Sequence, residues 1–106
     1  MVAQAQIVRD GAFRFHVEGE MTFATANELL RQSVSYFQKS QDLEIDLSQV
    51  TAADSAGLAL LLEWKARAVE DGAQVSVVGL PEAMQSIAHL CRIEELLGDE
   101  EVDLAG

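Results

Sequence analysis

A serine set directly behind an aspartate, where a strand gives way to a helix, is the feature of this 106-residue sequence with the most capacity for chemistry. The stretch Leu43–Trp64 reads LEIDLSQVTAADSAGLALLLEW. Leu43, Ile45 and Leu47 alternate with Glu44, Asp46 and Ser48, as a strand with one buried face does. A loop, Gln49–Ala53, then leads to Asp54-Ser55-Ala56-Gly57 and an apolar helical run. Asp54 is an N-cap residue type, whose carboxylate accepts hydrogen bonds from N–H groups that the first helical turn leaves without partners. Ser55 falls at the first helical position, its hydroxyl at the mouth of the turn. Gly57 lowers helix stability by roughly 1 kcal/mol against alanine, which makes sense where another group must come close. A routine helix start, with Gly57 admitting a neighbouring loop, accounts for the same residues.

A phosphate on Ser55 would bring about −1.5 to −2 charges to a helix N-terminus, where the macrodipole favours it. It would also face Asp54, and no Arg lies within ten residues to pair with it. Modification there would act by repulsion at an interface, whereas an unmodified Ser55 is a small contact that lets partner backbone come near. Other chemistries lack their residues. There is no G-x-x-x-x-G-K-[ST], H-E-x-x-H, C-x-x-C or G-x-S-x-G. His16 falls on the polar side of its strand, and His89 lies beside the apolar face of Met84, Ile87, Ala88 and Cys91; both read as surface residues. With no base oriented near a nucleophile, the sequence names no catalytic residue, no metal ligand and no cofactor.

The elements that position Ser55 follow from periodicity. Two strands, Gln6–Arg9 and Ala12–Glu18, flank the turn pair Asp10-Gly11 and must run antiparallel. Thr22 or Thr25 is placed to cap a helix running to about Lys39, with apolar positions Ala26, Leu29, Leu30, Val34 and Phe37. The Ser55 helix spans about Asp54–Asp71 and stops at Gly72. A strand over Gln74–Val78, a helix over Glu82–Cys91 behind Pro81, and a short helix over Ile93–Leu97 complete the chain. The expectation is an α/β fold of order β-β-α-β-α-β-α-α, a mixed four-stranded sheet with helices mainly on one face. The last two strands, joined by a helix, are parallel.

On the Ser55 helix, at about 100° per residue, Leu58, Leu61, Leu62, Ala68 and Val69 fill one face, and Leu60 and Trp64 widen it on one side. Either an adjacent helix covers Leu60 and Trp64, or Trp64 anchors a partner, a role in which Trp is over-represented. Lys65 interrupts the apolar face and is expected to carry its ammonium out to water.

The length allows one domain, residues 1–106, with an ordered core over about 6–97 and an acidic tail at 98–106. A hydrophobic share of 49% supports a sizeable core. The net charge is −11, and no Lys or Arg stands between Lys39 and Lys65. Such a chain repels nucleic acid and the anionic face of a bilayer, so a basic protein patch is the better partner. One cysteine, Cys91, makes no internal disulfide, and no apolar run approaches the roughly 18 residues that span a membrane. With no signal-peptide pattern at the start, a cytoplasmic location is expected.

Strand, loop, Asp54-Ser55-Ala56-Gly57-Leu58 and helix together resemble the signature of STAS domains, the sulphate transporter and anti-sigma factor antagonist family. Glu18-Gly19-Glu20-Met21-Thr22, followed by Thr25-Ala26-Asn27-Glu28-Leu29, is similar to the family's Gly-Glu-Leu-Asp loop and first helix. Thr22 stands where many members have an acidic residue. The resemblance covers about residues 6–97. It implies a non-enzymatic bacterial protein-binding module centred on Ser55, supported by Asp54, Ala56, Gly57, Glu20 and Thr22. Ser55 matches the Ser or Thr that antagonists have phosphorylated by their anti-sigma kinase. In the Mla phospholipid-transport system the matching residue of the small STAS subunit lies against the transporter's ATPase. Ala56, where antagonists more often have Ser or Thr, and Ala59, where they have Gly, make the MlaB-like branch the nearer one. The partner implied is therefore an ABC-type ATPase subunit, or alternatively an anti-sigma kinase, at the periphery of the inner membrane. A homo-oligomer is also compatible with the resemblance.

Overall fold

The computed structural model describes residues 4–37 and 41–93. β1 (Ala5–Arg9) and β2 (Arg14–Met21) form an antiparallel hairpin in which Ile7 faces Val17. α1 (Ala26–Tyr36) returns the chain to β3 (Leu43–Asp46), which runs parallel to β2 with Phe15 opposite Ile45. β4 (Val50–Ala53) follows at once, then α2 (Ser55–Glu70), β5 (Val75–Val78) and α3 (Glu82–Cys91). β5 lies parallel to β3, with Val77 opposite Ile45, so the path across the sheet is β1-β2-β3-β5.

β2 is long enough to serve two neighbours. Its first half pairs with β3, and its last residues pair in parallel with β4, Glu20 against Ala52 and Met21 against Ala53. The sheet therefore has five strands rather than four, and Gln49–Ala53 is a strand over all but its first residue rather than a loop. The sequence VTAA carries no apolar alternation, and Thr51 and Ala52 are exposed. Backbone pairing with β2 holds it there, and side-chain pattern cannot report that.

One face of the sheet is apolar and the other polar, as period-two patterning demands. Phe15, Val17, Leu43, Ile45, Val75 and Val77 are buried against the helices. Their neighbours His16, Glu18, Glu44, Asp46 and Ser76 lie on the opposite face, half-buried. His16 is not a surface residue: its side chain is only 13% exposed, with Nδ1 2.8 Å from Asp10 Oδ2 and Nε2 2.8 Å from Glu18 Oε2.

α1 departs from expectation at its outer turn. Leu29 is fully buried, but Val34 is exposed and Ser33 takes an inward place, its hydroxyl donating to the Leu30 carbonyl at 2.6 Å. The expected extension to Lys39 passes outside the described residues after Phe37, which is already extended. The expected 93–97 helix and the 98–106 tail also lie outside them, apart from Ile93, which is not helical.

α2 is closed at its C-terminus by Gly72 at φ +77°, with Gly72 N–H donating to the Val69 carbonyl and Ala73 N–H to the Ala68 carbonyl. Leu60 and Trp64, read as a possible interface, belong to the core instead, at 6% and 3% exposure. Phe37, at the end of α1, meets the Trp64 ring edge-on at 5.3 Å and itself packs on Phe15 at 5.2 Å. Val69, assigned to the buried face, is exposed. Lys65 turns inward, its Nζ donating to the Val75 carbonyl at 2.7 Å, so the ammonium secures the start of β5 rather than reaching for water.

Candidate partner-binding site

The site is built where β2 and β4 end side by side and the chain enters α2. Asp54 sits at the N-cap with extended backbone, and its Oδ1 accepts from Ala56 N–H at 2.9 Å and from Gly57 N–H at 3.1 Å. Its other oxygen, Oδ2, accepts from Phe23 N–H at 3.1 Å, in the loop after β2. One carboxylate thus fastens two segments distant in sequence. The Phe23 N–H foremost holds the Asp54 carboxyl below the ordinary aspartate value; burial opposes it, and the N–H groups of Gly57 and Ala56 add to the lowering.

Gly57 explains why α2 starts here. A Cβ at this position would stand 2.0 Å from the Met21 carbonyl oxygen, and that oxygen accepts from Asp54 N–H at 3.3 Å. The group that comes close to Gly57 is therefore the chain's own β2 backbone. The lost helix propensity, roughly 1 kcal/mol, is what lets the end of β2 lie on the first turn of α2.

The loop from Glu20 to Thr25 is held from within. Thr25 occupies the N-cap of α1, yet its hydroxyl caps nothing there. It donates to the Glu20 carbonyl at 2.8 Å and accepts from Thr22 N–H at 3.0 Å. The Thr22 hydroxyl donates to Glu20 Oε1 at 3.4 Å. With Thr25 only 2% exposed, this network is a buried knot beneath an exposed turn.

Glu20, Thr22, Asp54, Ser55, Ala56 and Gly57 are thus brought to one end of the molecule. Ser55 is exposed, Ala56 half-buried and Gly57 buried. Asp54 makes the side-chain capping bonds of this turn, which leaves the Ser55 hydroxyl at the surface without a part in the cap. Ala59, one turn further along the same face, is exposed as well. Leu60 and Trp64 do not join this surface. Phe23 does, at 85% exposure, and reading the sequence did not find it. The available signal was a large apolar residue between two threonines, outside any helical or strand period. Among the described residues, no group of three His, Cys, Asp or Glu could hold a metal ion.

A family model described as "Mlab, STAS domain" matches residues 7–98, nearly the whole chain. The chain belongs to the MlaB-like STAS family. Among curated proteins, none matches it. Membership makes this STAS domain a binding or regulatory module in general terms, and its mixed sheet with helices on one face is compatible with the STAS fold. In this STAS domain, none of the described helices is long and apolar enough to cross a membrane.

Proposed function

We propose that this STAS domain is a regulatory subunit without catalytic chemistry of its own, which docks through the start of α2 on the ATPase of an ABC-type phospholipid transporter. The observation that carries the reading is the exposed Ser55 on a helix start that Asp54 caps and Gly57 seats, so the hydroxyl is spared from folding. Beside it, Ala56 and Ala59 are small, and a partner's backbone can come near. The MlaB-like family match supports the transporter branch. The complex would sit on the cytoplasmic side of the inner membrane, held by the transporter rather than by insertion.

The same exposure suits a second reading, an anti-sigma antagonist whose Ser55 is phosphorylated by its kinase. Affinity purification of the full chain from its native cells tests both, with the bound protein identified and the intact mass of the chain measured. An ABC-type ATPase bound to an unmodified chain is the expected result. An anti-sigma kinase, with phosphate on Ser55, would replace the first reading by the second.

A further inference from the structure

We propose that Phe23 is the apolar anchor of the Ser55 surface, and that the partner receives it in an apolar pocket edged by Lys or Arg side chains. The inference rests on the reading that this surface docks on the ABC-type ATPase. Single exposed apolar residues are common on soluble proteins and need no explanation by themselves. Phe23 differs in what the fold asks of it. Its backbone N–H donates to Asp54 Oδ2, a bond that any residue except proline would make, while the residue as a whole is 85% exposed. Folding therefore gives no reason for an aromatic side chain here.

The ring is also carried on a fixed backbone. The N–H groups of Thr25 and Ala26 both donate to the Thr22 carbonyl, at 3.0 and 2.9 Å, and the buried Thr25 hydroxyl ties Glu20 to Thr22. Much of the ordering that binding would otherwise require is already done. Asp54 holds Phe23 with one oxygen and α2 with the other, and Ser55 is its next neighbour in the chain. Ring and hydroxyl thus belong to one patch. An aromatic residue at such a position is the residue type on which interface energy concentrates.

The charges around the ring decide what can cover it. Glu20 and Asp54 flank the loop, and neither is paired with a Lys or Arg among the described residues. Asp54 keeps its negative charge through its three backbone N–H donors. A pocket rimmed by cations complements this pattern, whereas a bilayer or a nucleic acid, both anionic, is repelled.

The test compares the full chain with Phe23→Ala, Phe23→Trp and Ser55→Asp for binding to the ATPase purified from the same cells, together with melting curves and sizing of the free proteins. Phe23→Ala is expected to melt like the unsubstituted chain and to bind at least about 30-fold more weakly. Phe23→Trp should retain most of the affinity, and added salt should weaken binding. If Ser55→Asp disrupts binding while Phe23→Ala binds within about threefold of the original, the anchor is refuted and the proposed function stands. If neither substitution matters, both fall. A salt-insensitive complex would refute the cationic rim. A change in the free protein's size on Phe23→Ala would assign the ring to a second copy and overturn the proposal.

Discussion

At the scale of single residues, His16 shows how the polar face of the sheet responds to pH. Its ring bridges Glu18 and Asp10, and hydrogen bonds to these, Glu18 first, raise its pKa above the ordinary histidine value. A folded value above the unfolded one stabilises the protein fully below about pH 6.5, and that contribution is lost as pH rises through the folded value. His16→Gln should therefore lower the melting temperature more at about pH 5.5 than at about pH 9. Equal losses at both would mean that the ring serves only as packing. Trp64 belongs to the same scale. Phe37 covers its ring, and its indole Nε1 finds no acceptor among the described residues. Trp64→Ala should cost about 3–5 kcal/mol of folding stability. Trp64→Phe should cost much less, because it also removes an unsatisfied buried donor, itself worth about 1–3 kcal/mol. A Trp64→Ala protein that melts normally would return Trp64 to the interface.

At the scale of elements, the junction of β2, β4 and α2 is where the fold makes the site. Its strongest single constraint is the contact between Gly57 and the Met21 carbonyl. Gly57→Ala would gain about 1 kcal/mol of helix propensity but force backbone against Cβ, and overpacking of this kind costs about 1–3 kcal/mol or more. A net loss of about 2 kcal/mol is expected, read by chemical denaturation; a stabilised Gly57→Ala would mean that the helix start can shift away from β2. Much of this architecture was legible because alternation and helical spacing report burial directly. The alternation Leu43–Leu47, the Asp54 cap and the Gly72 stop needed only local physics, and each element stands where they place it. What was not legible depends on residues distant in sequence. β4 is ordered by β2 backbone, Trp64 is covered by the end of α1, and Lys65 is drawn to a carbonyl of β5. Phe23 is not legible either, because its exposed place beside Ser55 follows from a loop tied to Asp54, 31 residues away.

For the whole molecule, the balance of charge narrows what the Ser55 surface can meet. Eighteen Asp and Glu stand against seven Lys and Arg, and the bases are largely engaged within the chain. Arg14 pairs with Glu44, Arg31 with Glu28 and Arg67 with Glu63, while Arg9 lies over the Phe15 ring and Lys65 on the Val75 carbonyl. Exposed pairs of this kind add little stability, but they leave the remaining carboxylates to set the outer field. On the proposed reading, a partner would be steered by its own positive charge to the end of the molecule where a hydrogen-bonded loop and a capped helix present Phe23, Ser55 and Ala59 together.

If Ser55 serves binding and not folding, as proposed, a single substitution should separate the two. The affinity of Ser55→Asp for the ATPase is measured by calorimetry beside its melting curve. Stability should stay within about 1 kcal/mol, since the new charge gains from the helix dipole while Asp54 repels it. Affinity should fall by at least about tenfold, which is about 1.4 kcal/mol. A Ser55→Asp chain that binds as the original does would reduce Ser55 to an ordinary helix start with no part in docking.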